Sequence, residues 1–369
     1  MCMVVLSDVV CVAAPGGTAD GQKNVATLRR GGLIGIKPDG GRPLIWRKLG
    51  TGAWPNHPPM KEPLGGLIHR KRPARCQSQD ANTFTPDHTM SALRSILLHL
   101  DASPRSVKRL ALAQELAAQH NARVTALYAS TPAALTLPFV MAEGVAELVP
   151  MLQQLDLDYR DNAKRLFDRS VSSGTLPCLW RELRDEPLIP GVAGHALCAD
   201  LLVLGQHDAS DPMTVGVPPD FVPSVLLTSG RPALLLPYVD TCTTFGQDIL
   251  VAWKPTRESA HAVSAAIPFL QRTKRIHLTI ADEGGAIAEH DADALEDFLR
   301  LHGVKAPILR HASVPSEAPG EGLLSLAADV GADLLVMGCY SHSRARERVL
   351  GGASRTLLKS MTLPVLMAH

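Results

Sequence analysis

The sequence contains few aromatic residues, no Cys-x-x-Cys pair and no apolar run long enough to span a membrane. Aromatic side chains make up 4% of the 369 residues. The seven cysteines are scattered, which indicates reduced thiols rather than a disulfide framework. The net charge of +1 is too small for a protein that binds nucleic acid with its whole surface. These absences predict a soluble, cytoplasmic protein that contacts neither a membrane nor a specific nucleic acid.

The common motifs of nucleotide enzymes and metal proteins are also missing. The chain has no Gly-x-x-x-x-Gly-Lys-(Ser/Thr) phosphate loop and no Gly-x-Gly-x-x-Gly dinucleotide fingerprint. Its histidines lack the spacing of metal ligands, so no metal is predicted. His99 and Asp101 have the spacing of an acid–base pair, but no nucleophile accompanies them. The sequence therefore predicts no catalytic residue, although a weak ATPase activity stays open.

Residues 1–89 differ in composition from the rest of the chain. They hold several Gly-Gly pairs, 12 basic and 6 acidic residues, and no sustained helix or strand periodicity. Such a sequence rarely builds a core, which favours a disordered basic extension. Two alternatives are open. One is that the basic run 69–72 binds nucleic acid or lipid. The other is that the true start is Met90, so that the residues before it are a mis-called beginning.

The remaining chain contains two copies of one pattern, which we assign to domains at residues 90–243 and 244–369. In each copy, short apolar strands alternate with amphipathic helices. The first copy has predicted strands at 94–101, 123–128, 176–183, 200–205 and 231–236, with helices at 106–119 and 188–198. The second has strands at 247–254, 275–280, 307–312, 333–338 and 363–367, with helices at 258–270 and 321–330. Residues 130–161 of the first copy are expected to add a loop and lengthen a helix, and residues 238–246 to link the copies.

Strands that alternate with helices predict an α/β fold with right-handed crossovers. Each domain is expected to be a five-stranded parallel sheet with helices on both faces. Because an exposed sheet edge invites pairing, we expect the two domains to pack through their sheet edges or last strands. The chain is then a monomer with an internal pseudo-dimer, or a homodimer.

The stretch 333–354 carries the strongest functional signal. An apolar strand ends in Gly338, a basic loop follows, and Gly351 and Gly352 precede another helix. Junctions between a strand end and a helix N-terminus favour anions, because free backbone N–H groups and the helix dipole attract negative charge. The three arginines of the loop are either an anion clamp or solvated charges, and both interpretations are open.

These motifs resemble the universal stress protein family in its tandem two-domain form, over about residues 93–369. The resemblance rests on the strand-loop opening of each copy, the repeated Asp-Leu-Leu-Val-(Leu/Met)-Gly strand and the terminal Leu-Pro-Val-Leu-Met. It implies two Rossmann-like, HUP-type domains and a role in stress adaptation. In nucleotide-binding members, a Gly-x-x-Gly, nine residues, Gly-(Ser/Thr) loop wraps the phosphates, and a first-strand acidic residue belongs to the loop that holds the adenosine.

The second domain keeps part of this glycine pattern. Gly338 is the first glycine, Ser341 replaces the second, and nine residues lead to Gly351. Gly352 stands where the family has Ser or Thr, and Ser354 is placed to supply the hydroxyl instead. The resemblance implies these five residues as the candidate nucleotide-binding loop, with ATP as the candidate cofactor.

The acidic position of the first strand differs between the domains. In the second domain it is Lys254, which cannot accept a hydrogen bond from a ribose but can meet a phosphate as a point charge. The first domain keeps the carboxylate as Asp101, but no matching glycines follow Gly205. Asp208 and Asp211 lie there instead and would repel phosphates. Asp101 and Gly205 therefore mark a degenerate site.

Three functions follow from these observations. The first is a stress-response protein whose second domain binds an adenine nucleotide and thereby changes its affinity for protein partners. The second is a protein-interaction module of the same fold that binds no nucleotide. The third, an enzyme such as a weak ATPase, is disfavoured because no catalytic carboxylate or metal set is present. The partners themselves are not specified by the sequence.

Overall fold

The computed structural model describes the chain at residues 3–6, 9–12, 26–29, 32–33, 93–136, 148–172, 178–184, 186–239, 245–280, 286–314, 317–339 and 352–369. The chain divides into two compact units, residues 1–82 and 83–369. The first unit contains a small antiparallel sheet in the order β1-β2-β3-β4, with strands Met3–Leu6, Val9–Val12, Ala26–Arg29 and Gly32–Leu33. The basic run 69–72 lies outside the described residues, so the expectation of a disordered or mis-called segment at 1–89 stays a prediction.

The second unit contains both repeats. The elements of the first repeat are β5 (Ser95–Leu100), α1 (Ser106–His120), β6 (Arg123–Tyr128), α2 (Ala133–Thr136), α3 (Val149–Ser172), β7 (Cys178–Glu182), α4 (Leu188–Ala196), β8 (Leu201–Gly205), a 3-10 turn (Pro212–Thr214), α5 (Phe221–Ser229) and β9 (Ala233–Leu236). Those of the second repeat are β10 (Asp248–Trp253), α6 (Arg257–Leu270), β11 (Arg275–Ile280), α7 (Ala286–Leu301), β12 (Ile308–His311), α8 (Pro319–Asp329), β13 (Leu334–Gly338), α9 (Gly352–Ser360) and β14 (Val365–Ala368).

The strands of the two repeats form one ten-stranded sheet in the order β12-β11-β10-β13-β14-β9-β8-β5-β6-β7. Within each repeat the neighbouring strands are parallel. The repeats meet where β14 pairs antiparallel with β9, in the register Val365↔Leu235, Leu366↔Leu234 and Met367↔Ala233. The order on one side of this junction mirrors the order on the other. The predicted α/β fold and the pairing through the last strands are both confirmed.

Alternating apolar residues along the central strands fill two cores, one on each face of the sheet. On β5, Ile96 and Leu98 belong to the core covered by α1, α3, α6 and α7, whereas Leu97 belongs to the core covered by α4, α5, α8 and α9. All three side chains are at most 4% exposed. Parallel strands buried on both faces need such continuous apolar runs, and this is why the central strands were visible in the sequence.

The longer first repeat differs from the second mainly in its second long helix. The helix α3 has 24 residues, whereas the corresponding α7 has 16. The expected lengthening of a helix in this part of the first copy is therefore confirmed, and residues 137–147 before α3 lie outside the described part of the chain. The linker is described only at its two ends, since residues 240–244 are also outside.

Candidate functional site

Each repeat has a point at which the strand order reverses, between its first and fourth strands. There β5 lies beside β8, and β10 lies beside β13, with each pair parallel. The helix after the first strand covers one face of the sheet, whereas the helix after the fourth strand covers the other. Open α/β sheets bind ligands in the crevice that this divergence leaves beyond the carboxyl ends of the strands.

In the first repeat this crevice holds a buried ion pair between Asp101 and Arg109. The Nη2 atom of Arg109 lies 2.8 Å from Oδ2 of Asp101, and the side chains are 5% and 7% exposed respectively. The backbone N–H of Ser103 and the hydroxyl of Ser106 donate to Oδ1 of Asp101, each at 2.9 Å. Burial raises the pKa of Asp101, but the charge of Arg109 and these donors together outweigh it and lower the pKa to about 2. Asp101 is ionised and already has its cation.

The same arginine explains why position 205 is a glycine. A Cβ atom at Gly205 would lie 2.2 Å from Nη1 of Arg109, so a larger residue would displace the guanidinium from the end of β8. The space that remains beside Asp101, Arg109 and Gly205 is a cavity of about 20 Å³. That volume holds about one water molecule and no nucleotide. A side chain of the protein itself occupies the predicted degenerate site.

The two acidic residues after β8 also have an internal partner. Nη1 of Arg105 lies 2.7 Å from Oδ2 of Asp208 and 3.0 Å from Oδ2 of Asp211. The hydroxyl of Ser210 and the nearby Arg105 lower the pKa of Asp208 against the effect of burial. The sequence predicted that these acids repel phosphates. Arg105 offsets one of their two negative charges, so the repulsion stays a prediction.

His99 does not form a titrating pair with Asp101 at neutral pH. Its Nε2 atom lies 2.9 Å from the carbonyl oxygen of Ala129, and its ring packs against Phe221 at 4.5 Å between centroids. Burial lowers the pKa of His99 to about 4, although the charge of Asp101 raises it. At neutral pH the imidazole is uncharged and fixed in the core, which is a structural role.

The second repeat replaces each member of this ion-pair system. Asp101 and Arg109 are the first and ninth residues after β5, and Lys254 and Ala262 hold those places after β10. Lys254 is exposed and has no ion-pair partner among the described residues, whereas Ala262 is fully buried. At the position of Arg109 the second repeat therefore has a small alanine, and the ammonium group of Lys254 has no ion-pair partner in the described part of the chain.

Gly338 lies where β13 meets the start of α6. A Cβ atom at this position would lie 2.4 Å from the backbone nitrogen of Ser259, so only glycine allows the strand end and the helix to approach this closely. The hydroxyl of Thr256 accepts from that nitrogen at 3.3 Å and caps the helix. In the first repeat the side chain of Arg109 lies between α1 and β8. The second repeat has the small Ala262 at that place, so α6 packs directly on β13. Gly338 therefore has a packing role that does not depend on a ligand.

Cys339, next to Gly338, is a buried thiol. It is 1% exposed, and burial raises its pKa to about 12. Its backbone N–H donates to the carbonyl of Ala368 at 2.9 Å, as a continuation of the pairing between β13 and β14. Glu258, buried in the first turn of α6, adds a negative charge that further disfavours the thiolate.

The described residues contain part of the predicted loop. Gly352 is the first residue of α9, as predicted for a glycine pair that opens a helix, and Ser354 is 4% exposed in the first turn of this helix. Ser341, Gly351 and the arginines of the basic loop lie outside the described residues. In the pairing of β13 with β10, Met337 lies beside Ala252. Gly338 is one residue beyond Met337 and Lys254 is two residues beyond Ala252, so the two lie close together at this end of the sheet. Their joint role in binding a nucleotide stays a prediction.

Sequence reasoning missed the arginines of the first repeat. Arg109 lies on the buried stripe of α1 with Ser106, Leu110 and Ala113, at the helical spacing of three and four residues. A charged residue on an apolar stripe is the signal that would have revealed it, because a buried charge requires a partner. The carboxylate of Asp101, at the end of the adjoining strand, is that partner.

Metal and membrane sites were searched over the same part of the chain. No group of three or more His, Cys, Asp or Glu side chains that could hold a metal ion occurs among the described residues. None of the described helices combines the length and apolar character needed to cross a bilayer.

Comparisons with known proteins identify the second repeat. The family model of the Universal stress protein family matches residues 247–369. The chain is similar to the crystal structure of a universal stress protein from Archaeoglobus fulgidus DSM 4304, at 14% identity over 74% of this chain and 95% of that chain, with a TM-score of 0.55. It is also similar to a protein of unknown function from Pseudomonas aeruginosa PAO1, at 16% identity over 74% and 92% of the two chains, with a TM-score of 0.45.

A third structure is that of a universal stress protein in complex with cAMP, at 20% identity over 39% of this chain and 97% of that chain, with a TM-score of 0.27. No curated protein matches the chain. At 14% identity the Archaeoglobus fulgidus structure shows the fold alone, which it shares over most of both chains. The family match extends over the second repeat from the start of β10 to the last residue. Residues 247–369 are therefore a domain of the universal stress protein family.

Proposed function

We propose that this protein acts in stress adaptation by binding an adenine nucleotide, ATP, at the switch point of its second repeat, and that the bound nucleotide changes its affinity for protein partners. The observation that carries the proposal is the contrast between the repeats. The first switch point is filled by Arg109. The second has the small Ala262 at the same place and an exposed Lys254, which has no ion-pair partner among the residues that the structure describes.

The proposal gives each predicted residue a role. In this proposal the backbone of Gly338, Ser341, Gly351 and Gly352 approaches the phosphates, because small residues allow close backbone contact. Lys254 meets a phosphate oxygen as a point charge. The N-terminus of α9, which begins at Gly352, adds free backbone N–H groups and the positive end of its dipole.

A second candidate function is a protein-interaction module of the same fold that binds no nucleotide. Its support is Ser354, which replaces the family's loop hydroxyl but is 4% exposed within α9. A hydroxyl buried in this way is not presented to a phosphate. The interaction module is also favoured by Ser341, which replaces a glycine of the family's loop, and by Lys254, which replaces its first-strand acidic residue.

The deciding experiment is mass spectrometry of small molecules released when the purified protein is denatured, together with calorimetric titration of ATP. Co-purified adenine nucleotide or a binding heat, lost when Gly351 and Gly352 are both changed to Val, supports the first function. Gly194→Val is the matched glycine control, because Gly194 lies on the exposed face of α4 in the other repeat. An empty protein with no binding heat supports the interaction module.

Lys254 permits a separate test of the phosphate contact. Lys254→Gln is expected to weaken ATP binding by about tenfold to a hundredfold, because one charge-assisted contact is worth about 1.5–3 kcal/mol. Lys305→Gln removes the same charge from an exposed residue just before β12, at the opposite edge of the parallel sheet, and should leave the affinity unchanged. Equal affinities for the two variants would remove Lys254 from the site.

A further inference from the structure

A larger cavity lies beside α1 and shares Arg105, Arg109, Gly205 and Gln206 with the small cavity at the first switch point. It has a volume of about 330 Å³ and is enclosed by α1, the ends of β8 and β9, the segment after β9, Phe245 and Pro364 of the second repeat. We infer that this cavity binds a small amphipathic anion, a compound with one carboxylate or sulfonate group on an aromatic or aliphatic body. This site is independent of the proposed nucleotide site in the second repeat.

The walls of the cavity suit the apolar part of such a ligand. The apolar lining consists of Leu112 of α1, Leu236 at the end of β9, Pro237 after it, Phe245 and Pro364. Together they present aliphatic and aromatic surface from both repeats. Small-molecule sites are typically concave, largely apolar, between about 300 and 1,000 Å³ in volume, and common at the junction of domains. The cavity meets each of these conditions at the lower end of the size range.

One side of the cavity carries positive charge. The lining includes Arg105, which immediately precedes α1, and Lys108 and Arg109 in the first turn of α1. No acidic residue is among the described lining residues. The carboxylates of Asp101 and Asp208, which pair with the arginines, line the neighbouring cavity of about 20 Å³ instead. The carboxylates therefore lie on the far side of the guanidinium groups, and an anion in the larger cavity meets cations first.

Arg109 also has an unused donor. Its side chain is 5% exposed, and its Nε–H has no acceptor among the described residues. Buried donors in proteins are nearly always paired, and an unpaired one destabilises the fold. Guanidinium groups bind carboxylates and sulfonates through planar, parallel hydrogen bonds, so an anionic headgroup would provide the missing acceptor.

The frame of the cavity is fixed before any ligand enters. The side-chain amide of Gln206 donates to the carbonyl of Leu358 at 3.1 Å and accepts from the backbone N–H of Tyr238 at 3.0 Å. It thereby ties the end of β8 to α9 of the second repeat and to the segment after β9. Nε of Arg105 donates to the carbonyl of Tyr238 at 3.2 Å. Preorganised walls of this kind lower the entropic cost of binding.

The test uses the full-length protein and two fluorescent probes with the same aromatic body. 1-Anilinonaphthalene-8-sulfonate carries the sulfonate, whereas N-phenyl-1-naphthylamine lacks it. Ala111→Trp places a large side chain at the cavity from an exposed helix position, and Ala118→Trp places the same side chain two turns further along α1, outside the cavity lining. Lys108→Gln removes one cation from the lining. Urea unfolding of each variant verifies that it is folded.

We expect saturable binding of the sulfonate probe with one site per chain. Ala111→Trp should weaken it by about tenfold or more and Ala118→Trp by less than about twofold, whereas the uncharged probe should bind about tenfold more weakly than the sulfonate probe. Lys108→Gln should weaken sulfonate binding by about threefold. Absence of saturable binding, or equal effects of the two tryptophan variants, would overturn the site. Equal affinity for the two probes would overturn its preference for anions.

Discussion

The guanidinium of Arg109 lies 2.8 Å from the carboxylate of Asp101, at the position in the first repeat where the second repeat has Ala262 and Lys254. Two copies of one unit have thus diverged at the same point in opposite ways. One switch point is closed by an internal ion pair, and the other has Ala262 at the position of Arg109. A tandem chain can diverge in this manner because the β9–β14 pairing that joins the copies lies in the middle of the sheet and does not involve these residues.

Arg109→Met is expected to lower the free energy of unfolding by about 3–5 kcal/mol, because it leaves the carboxylate of Asp101 buried without its counterion. Arg105→Gln removes a charge of the same sign from the same helix, but the side chain of Arg105 is 36% exposed, and the expected cost is about 1 kcal/mol or less. Urea unfolding monitored by circular dichroism measures both. Similar costs for the two variants would show that the Asp101 pair is not specially buried.

Gly338→Ala is expected to destabilise the fold by about 1–3 kcal/mol, because its Cβ atom would lie 2.4 Å from the backbone nitrogen of Ser259, which cannot move without shifting α6. The control is Gly194→Ala on the exposed face of α4, where no atom lies within 4 Å of the added carbon. That variant should stabilise the protein by about 0.5–1 kcal/mol through the unfolded state. Thermal unfolding compares the two, and a neutral Gly338→Ala would refute the close contact.

Most of the sheet was predictable, because β5, β8, β10 and β13 are mainly apolar runs that end at a glycine or just before a charged residue. The helices α1 and α6 were predicted within one residue at each end, from the three-and-four spacing of residues such as Leu110, Ala113 and Leu116. The site was less predictable. The contact between Asp101 and Arg109 depends on which face of α1 the arginine occupies relative to β8, and the pattern of apolar residues places helices on a sheet only approximately. The larger cavity could not be predicted at all, since it joins residues from both repeats.

His99 makes the stability of the protein depend on pH in the acidic range. Burial lowers the pKa of His99 in the folded state to about 4 from its usual 6.5, so below pH 6.5 the unfolded chain binds a proton that the folded chain does not. The contribution of His99 to the free energy of unfolding is therefore fully present above pH 6.5 and is lost as the pH falls from 6.5 to 4. The expected contribution is on the order of 3 kcal/mol.

The variant His99→Gln isolates this contribution. It retains a donor for the carbonyl of Ala129 but cannot titrate, so its unfolding free energy should change less than that of the wild type between pH 7 and pH 4. His302→Gln changes an exposed histidine and should keep the wild-type slope. Chemical unfolding at a series of pH values measures both. An unchanged slope in His99→Gln would show that His99 is accessible to protons in the folded state.

Deletion of residues 1–89 should change the thermal unfolding midpoint of the remaining chain by less than about 2 °C, because residues 1–82 form a compact unit of their own. A deletion that ends eleven residues later, at Leu100, is the matched control. It removes β5, which lies between β8 and β6 and supplies the buried Ile96 and Leu98 to the core. That chain should not fold, because its neighbouring strands lose both their hydrogen-bond partners and their apolar contacts. A large fall in the midpoint after the first deletion would instead show that the N-terminal unit packs on the repeats.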